Sequence, residues 1–193
     1  MPPRITRLAL LALALVACRA TPGEPSPSLV PELEQIDDPP ADASAAILEP
    51  QAVRVYTYDG SGELVHPDAV VFPHSWKGMR YWYAATPYPF GNAAFENPSS
   101  YAGNSRDDWH LPAGVSNPLA MPEKGAYLSD PDLSYDPARG ELRLYYRQTT
   151  STADQVFLKT SRDGSTWGES TLVLEDARYN AISPAIAREA DGS

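Results

Sequence analysis

The sequence predicts an all-β fold from about residue 53 onward. Three observations carry this: short runs of β-branched and aromatic residues, turn residues between those runs, and an internal repeat. No stretch of this region shows apolar residues at helical spacing.

The first strand is expected over 53–58, where Val53, Val55 and Thr57 alternate with Arg54, Tyr56 and Tyr58 until Asp59-Gly60 signals a turn. Further strands are expected at 69–72, 80–85, 142–147, 155–160 and 171–174, all short and rich in aromatic or β-branched side chains.

The repeat sets the architecture. Its first copy runs His66-Pro67-Asp68-Ala69-Val70-Val71, then Arg80-Tyr81-Trp82-Tyr83, then Asn104-Ser105-Arg106-Asp107-Asp108-Trp109. The second runs Asp130-Pro131-Asp132-Leu133-Ser134-Tyr135, then Leu142-Arg143-Leu144-Tyr145-Tyr146-Arg147, then Thr160-Ser161-Arg162-Asp163-Gly164-Ser165-Thr166-Trp167. A third opens at Ile182-Ser183-Pro184-Ala185-Ile186. The spacing suits a four-stranded propeller blade of roughly 40–50 residues.

These motifs resemble the five-bladed β-propeller glycosidases, the arabinanase and xylosidase group with its invertase-like relatives. The resemblance covers roughly residues 65–193 and rests on the acid beside a proline, the aromatic second strand, and the Ser-x-Asp-Gly-x-x-Trp turn of Ser161, Asp163, Gly164 and Trp167. Ser105, Asp107 and Trp109 repeat that turn in shortened form. The fold expected is therefore a five-bladed propeller represented by about two blades and the start of a third. The turn itself is assigned to folding, because its aspartate accepts backbone hydrogen bonds and its glycine adopts a conformation other residues resist.

The resemblance also implies three carboxylates on the inner strands, since glycosidic hydrolysis needs one group to activate water and another to protonate the leaving oxygen. Aligned on the prolines, His66, Asp130 and Ser183 stand before the proline and Asp68, Asp132 and Ala185 after it; Asp130 fits the orienting aspartate, and Asp68 is close enough to serve as base. The third copy, with Ser183 and Ala185, supplies no acid. Both aspartates equally suit a structural role satisfying backbone donors at strand starts. His66, Trp82, Tyr88, Glu96, Asn97, Asn117, Asp132 and Arg147 are candidates for ligand contact; several lie in the proline-rich stretch between the first inner strand and the second copy, whose aromatic, amide and acidic side chains suit a sugar. His74 and His110 have no partner at metal-ligand spacing, so neither a metal nor another cofactor is expected. Three functions stay open: glycan hydrolysis, glycan binding without catalysis, and assembly through a propeller rim.

The N-terminus has a different character. Arg4 and Arg7 precede an apolar run over 8–17, about half of the roughly 20 residues a membrane-spanning helix needs. Leu15-Val16-Ala17-Cys18 resembles the lipobox of bacterial lipoproteins, which implies cleavage of a signal peptide at 1–17 and lipid on Cys18, the single cysteine. Arg19 in place of aspartate favours an outer-membrane or cell-surface address. Residues 18–52, broken by Pro22, Pro25, Pro27, Pro31, Pro39 and Pro40, read as an acidic tether to the folded region of 53–193. A formal net charge of −10 with no basic stripe argues against nucleic acid as a partner. At 42% hydrophobic residues with eleven tyrosines, the chain carries enough apolar surface for a core. The expected partners are carbohydrate and, through Cys18, a membrane.

Overall fold

The computed structural model describes residues 53–178 and 183–187. The expected signal segment, Cys18 and the tether lie outside the described residues. The chain divides into Met1–Ile47 and Leu48–Ser193, and all described residues belong to the second unit.

That unit is all-β, built from two antiparallel sheets. β1 (Leu64–Trp76), β2 (Met79–Pro87) and β3 (Ser99–Gly103) form a three-stranded sheet in the order β1-β2-β3. β4 (Tyr127–Asp136), β5 (Glu141–Thr149), β6 (Asp154–Ser161) and β7 (Thr171–Asp176) form a four-stranded sheet, again in sequence order. The only helical elements among the described residues are two single 3-10 turns, Pro89–Gly91 and Ala93–Phe95.

Two expectations about individual elements are corrected. Residues 53–58 do not pair as a strand; Thr57 instead turns through a hydrogen bond from Gly60 N to its carbonyl (3.0 Å), and its hydroxyl accepts from Gly62 N. Conversely, the stretch between Arg80-Tyr81-Trp82-Tyr83 and Asn104 to Trp109 contains β3, whose register Tyr83↔Tyr101 and Ala85↔Ser99 completes the first sheet. Its small residues Ser99, Ser100 and Ala102 carry little strand propensity, so pairing with β2 decides their conformation.

The core forms where the sheets face each other. Phe72, Trp82, Ala84 and Ala102 of the first sheet meet Leu128, Leu133, Leu142, Leu144 and Tyr146 of the second. Alternation along β2 sends Tyr83 and Ala85 to the opposite face, where they pack with Tyr101, Val55, Leu64 and Trp109. Burying Trp82 alone contributes about 5 kcal/mol as an upper estimate, from roughly 200 Å² at about 25 cal/mol/Å².

Both sheets bend at the same place. The ladder slips between Val65 and Asp68 in β1 and between Ser129 and Asp132 in β4, which are equivalent positions of the repeat. Pro67 and Pro131 cannot donate to the ladder, and each follows a residue with left-handed φ: His66 at 50° and Asp130 at 51°. The bulges re-aim these two side chains away from the ordinary pleat.

The turn assigned to folding is closed by its own hydrogen bonds. Asp163 Oδ1 accepts from Ser165 N (2.8 Å) and Thr166 N (2.7 Å), which holds its carboxyl down to about 2, and Ser161 Oγ accepts from Gly164 N. Gly164, at φ 76°, lies so close to the Trp82 ring that a Cβ there would come within 2.0 Å of it. The turn of one sheet thereby closes on the central tryptophan of the other.

Candidate functional site

The bulges bring together residues distant in sequence. His66 Nδ1 lies 3.2 Å from Asp130 Oδ1 and 3.3 Å from Glu96 Oε1. Asp130 and Glu96 are buried, while the His66 side chain is half exposed, so the cluster has one face open to solvent. Arg147 on β5 completes it: Nη2 sits 3.1 Å from Asp130 Oδ2, and Nε donates to Ser129 Oγ at 3.0 Å. Ser129 Oγ in turn donates to Asp130 Oδ2 (3.0 Å), so a guanidinium and a hydroxyl both orient that carboxylate.

Glu96 is delivered by the 3-10 turn Ala93–Phe95, which ends on it; its backbone N–H donates to Ala93 O. Burial pushes the Glu96 carboxyl above the ordinary glutamate range; His66 and Arg147 oppose this and Asp130 adds to it. Asn97, beside it, is fully buried and donates through Nδ2 to Tyr58 Oη (2.8 Å) and Ala94 O (3.2 Å). Tyr58 Oη donates to Phe95 O at 2.8 Å, so the loop carrying Glu96 is stitched to the segment preceding β1.

His66, Glu96 and Asp130 each offer one atom, all within 4.8 Å of one another, a grouping that could hold a metal ion. Two ligand atoms about 2.1 Å from a common cation and 90–110° apart are separated by about 3.0–3.4 Å. The observed 3.2 and 3.3 Å fall in that range, and an imidazole with two carboxylates is a donor set for a divalent transition metal. No local spacing signals this trio, because its members come from β1, a loop and β4.

Of the residues expected at the site, His66, Glu96, Asp130 and Arg147 converge. Trp82 lies in the core, 2% exposed, donating through Nε1 to Trp76 O. Asn117 forms two hydrogen bonds with the Ser100 backbone, accepting from its N–H (3.0 Å) and donating to its carbonyl (3.1 Å), and precedes a cis proline. Tyr88 is half-buried at the entry to the first 3-10 turn, its N–H donating to Glu63 O. Asp68 accepts from Leu133 N at 2.6 Å and from Ala69 N at 2.8 Å. Asp132, its repeat equivalent, accepts from Ile186 N at 3.1 Å. Ser129 is the cluster member that sequence reading missed; its only signal is its place before Asp130.

This chain is similar to carbohydrate-acting proteins. No family model matches it. One curated relative, an A type blood N-acetyl-alpha-D-galactosamine deacetylase from Flavonifractor plautii, is 32% identical over 138 residues, taking in 67% of this chain and 18% of the relative. A crystal structure of an N-acetylgalactosamine deacetylase from F. plautii, in complex with blood group B trisaccharide, superposes with a TM-score of 0.53 at 31% identity. That match covers 55% of this chain and 29% of the other. The chain thus spans less than a third of either relative's length. Both relatives are deacetylases, whereas the sequence motifs resembled glycosidases; carbohydrate is common to the two.

Proposed function

We propose that the His66–Glu96–Asp130 cluster removes an N-acetyl group from an amino sugar of a glycan. The observation that carries this reading is the position of His66 Nδ1 between the two carboxylates, at 3.3 and 3.2 Å. In a glycosidase the gap between the paired acids holds the scissile oxygen or a water; here an imidazole fills it. The same arrangement suits a divalent cation, and the similarity to two sugar deacetylases points to amide rather than acetal chemistry.

In the reaction, water oxygen bonds to the acetyl carbon, the amide C–N bond breaks, and acetate and a free amine leave. A cation held by the trio would supply Lewis-acid polarisation of the carbonyl and a more acidic water. Asp130 is held at two points by Arg147 and Ser129, which fixes its orientation. Glu96, with His66 and Asp130, would be a ligand of that cation, and the proton for the departing nitrogen would come from the attacking water.

Glycosidic hydrolysis is the second reading, favoured by two carboxylates in contrasting environments: Glu96 pushed up by burial and Asp130 beside a guanidinium. One experiment separates the two. Incubating the full chain with an oligosaccharide bearing terminal N-acetylgalactosamine should release acetate and leave the saccharide length unchanged, and a chelator should abolish the release. Shorter saccharides without acetate select the second reading; neither product selects binding without catalysis.

We further propose that the two sheets are successive blades of a β-propeller. Their meander order, their equivalent bulges and the equivalent bonds Asp68 to Leu133 N and Asp132 to Ile186 N support it. Lipid on Cys18 is proposed as the anchor of this domain. Radiolabelled palmitate should enter the expressed protein and fail to enter the Cys18→Ser variant.

A further inference from the structure

Phe90 is both exposed and strained. It adopts φ 52° and ψ 29°, the left-handed region that costs a bulky side chain of order 1–3 kcal/mol, and its ring is 97% exposed. Packing does not explain either property, since a glycine would relieve both. The conformation is nevertheless held: Phe90 N donates to Glu63 Oε2 (3.2 Å), Tyr88 N donates to Glu63 O, and the buried Pro89 precedes it.

Phe90 borders an open surface depression of about 530 Å³ whose rim and floor also include Phe95, Pro89, Asp59, Ser61 and Asn92. Volumes of roughly 300–1,000 Å³ are usual for small-molecule sites. The polar groups are equipped to bind. Burial works against ionising Asp59, but hydrogen bonds from Thr57, Ser61 and backbone groups outweigh it and hold the carboxyl below the ordinary range. Asn92 accepts from Ala94 N through Oδ1, which leaves its amide nitrogen as a donor.

Two aromatic rings beside a carboxylate, a hydroxyl and an amide form a wall for a ligand with an apolar face and a rim of hydroxyls. That is the chemistry of a pyranose: the ring stacks on C–H bonds while the acid and amide meet hydroxyls. A lipid or an apolar peptide would leave the Asn92 amide nitrogen without an acceptor.

We propose that Phe90, with Phe95, Asp59 and Asn92, forms a saccharide subsite that holds a sugar unit next to the one at the His66 cluster. The subsite rests on the reading of that cluster as a glycan site and extends it to a second sugar. Connectivity ties the two together. Glu96 follows Phe90 by six residues, a reach of about 20 Å at full extension and less through the intervening 3-10 turn. Glu63, which fixes Phe90, immediately precedes the strand that carries His66.

The test uses ligand-observed NMR titration of the full chain with methyl α-N-acetylgalactosaminide and with a trisaccharide ending in N-acetylgalactosamine, alongside acetate release. Phe90→Ala should weaken trisaccharide binding about tenfold, the effect of one aromatic stacking contact, and leave monosaccharide binding unchanged. Phe90→Trp should restore the difference. Phe90→Gly should lose trisaccharide affinity while raising Tm, the signature of strain retained for binding. Unaltered trisaccharide binding in Phe90→Ala overturns the subsite, as does a chain that binds neither probe. The two proposals fail separately: Phe90-dependent binding without acetate release removes the reaction and keeps the subsite, and acetate release indifferent to Phe90 does the reverse.

Discussion

His66 and Asp130 occupy the same position in two copies of the repeat, share a left-handed backbone, precede equivalent prolines, and meet at 3.2 Å. One local device, used twice, thus builds a site between two sheets. Each bulge turns a polar side chain out of the strand and toward the other. The strain at each residue, of order 1–3 kcal/mol, is offset by the packing of the strands that flank it.

Arg147 is expected to act through Asp130. Replacing it with Met leaves a buried carboxylate beside Glu96 without its cation, which should destabilise the protein by about 3 kcal/mol and reduce turnover about 100-fold. Arg147→Lys should recover most of the stability and less of the turnover, because an ammonium cannot bond Asp130 and Ser129 in the same two-point geometry. Chemical denaturation and acetate-release kinetics on the three proteins check this.

Asp68 separates a structural from a catalytic reading. Its carboxylate accepts two backbone N–H groups, one on the neighbouring sheet, so Asp68→Ala should cost about 1–3 kcal/mol while turnover per folded molecule stays unchanged. The opposite pattern, turnover abolished at unchanged Tm, assigns Asp68 as the base that its alignment with glycosidases implies.

Two carboxyls give stability opposite slopes with pH. Glu96 binds its proton more tightly folded than unfolded, so its contribution is full below the ordinary glutamate value and is lost as pH rises through its raised folded value. Asp163, lowered from 3.8 to about 2, contributes fully above 3.8 and loses that contribution as pH falls toward 2. Tm measured across pH should lose its decline on the alkaline side in Glu96→Gln and soften its acid decline in Asp163→Asn.

Gly164→Ala tests the closure of the turn on Trp82. A Cβ would overlap the ring at 2.0 Å and sit at φ 76°, so a loss of at least about 2 kcal/mol is expected. In a Trp82→Leu background the additional cost should shrink, since the overlap is removed and only the backbone strain remains.

The all-β class and the repeat were legible in the sequence because strand alternation, turn residues and self-similarity are local. Arg80-Tyr81-Trp82-Tyr83 and Ser161 to Trp167 announce their conformations without reference to anything distant. The 53–58 alternation misled for the same reason: pattern alone does not supply a pairing partner. β3 was hidden because its small residues gain strand conformation only by pairing with β2.

The sequence by itself marked Asp68 and Asp130 as catalytic candidates and His66, Glu96 and Arg147 among the wider set of candidates for ligand contact. Only the tertiary structure decided that His66, Glu96, Asp130 and Arg147 meet and that Trp82 belongs to the core. Asp68 and Asp132, also prominent in the sequence, turn to backbone donors instead. The reason is geometric. Two proline-induced bulges on separate sheets and one 3-10 turn set the three side-chain directions, and their convergence is a property of the packed sheets rather than of any stretch of chain.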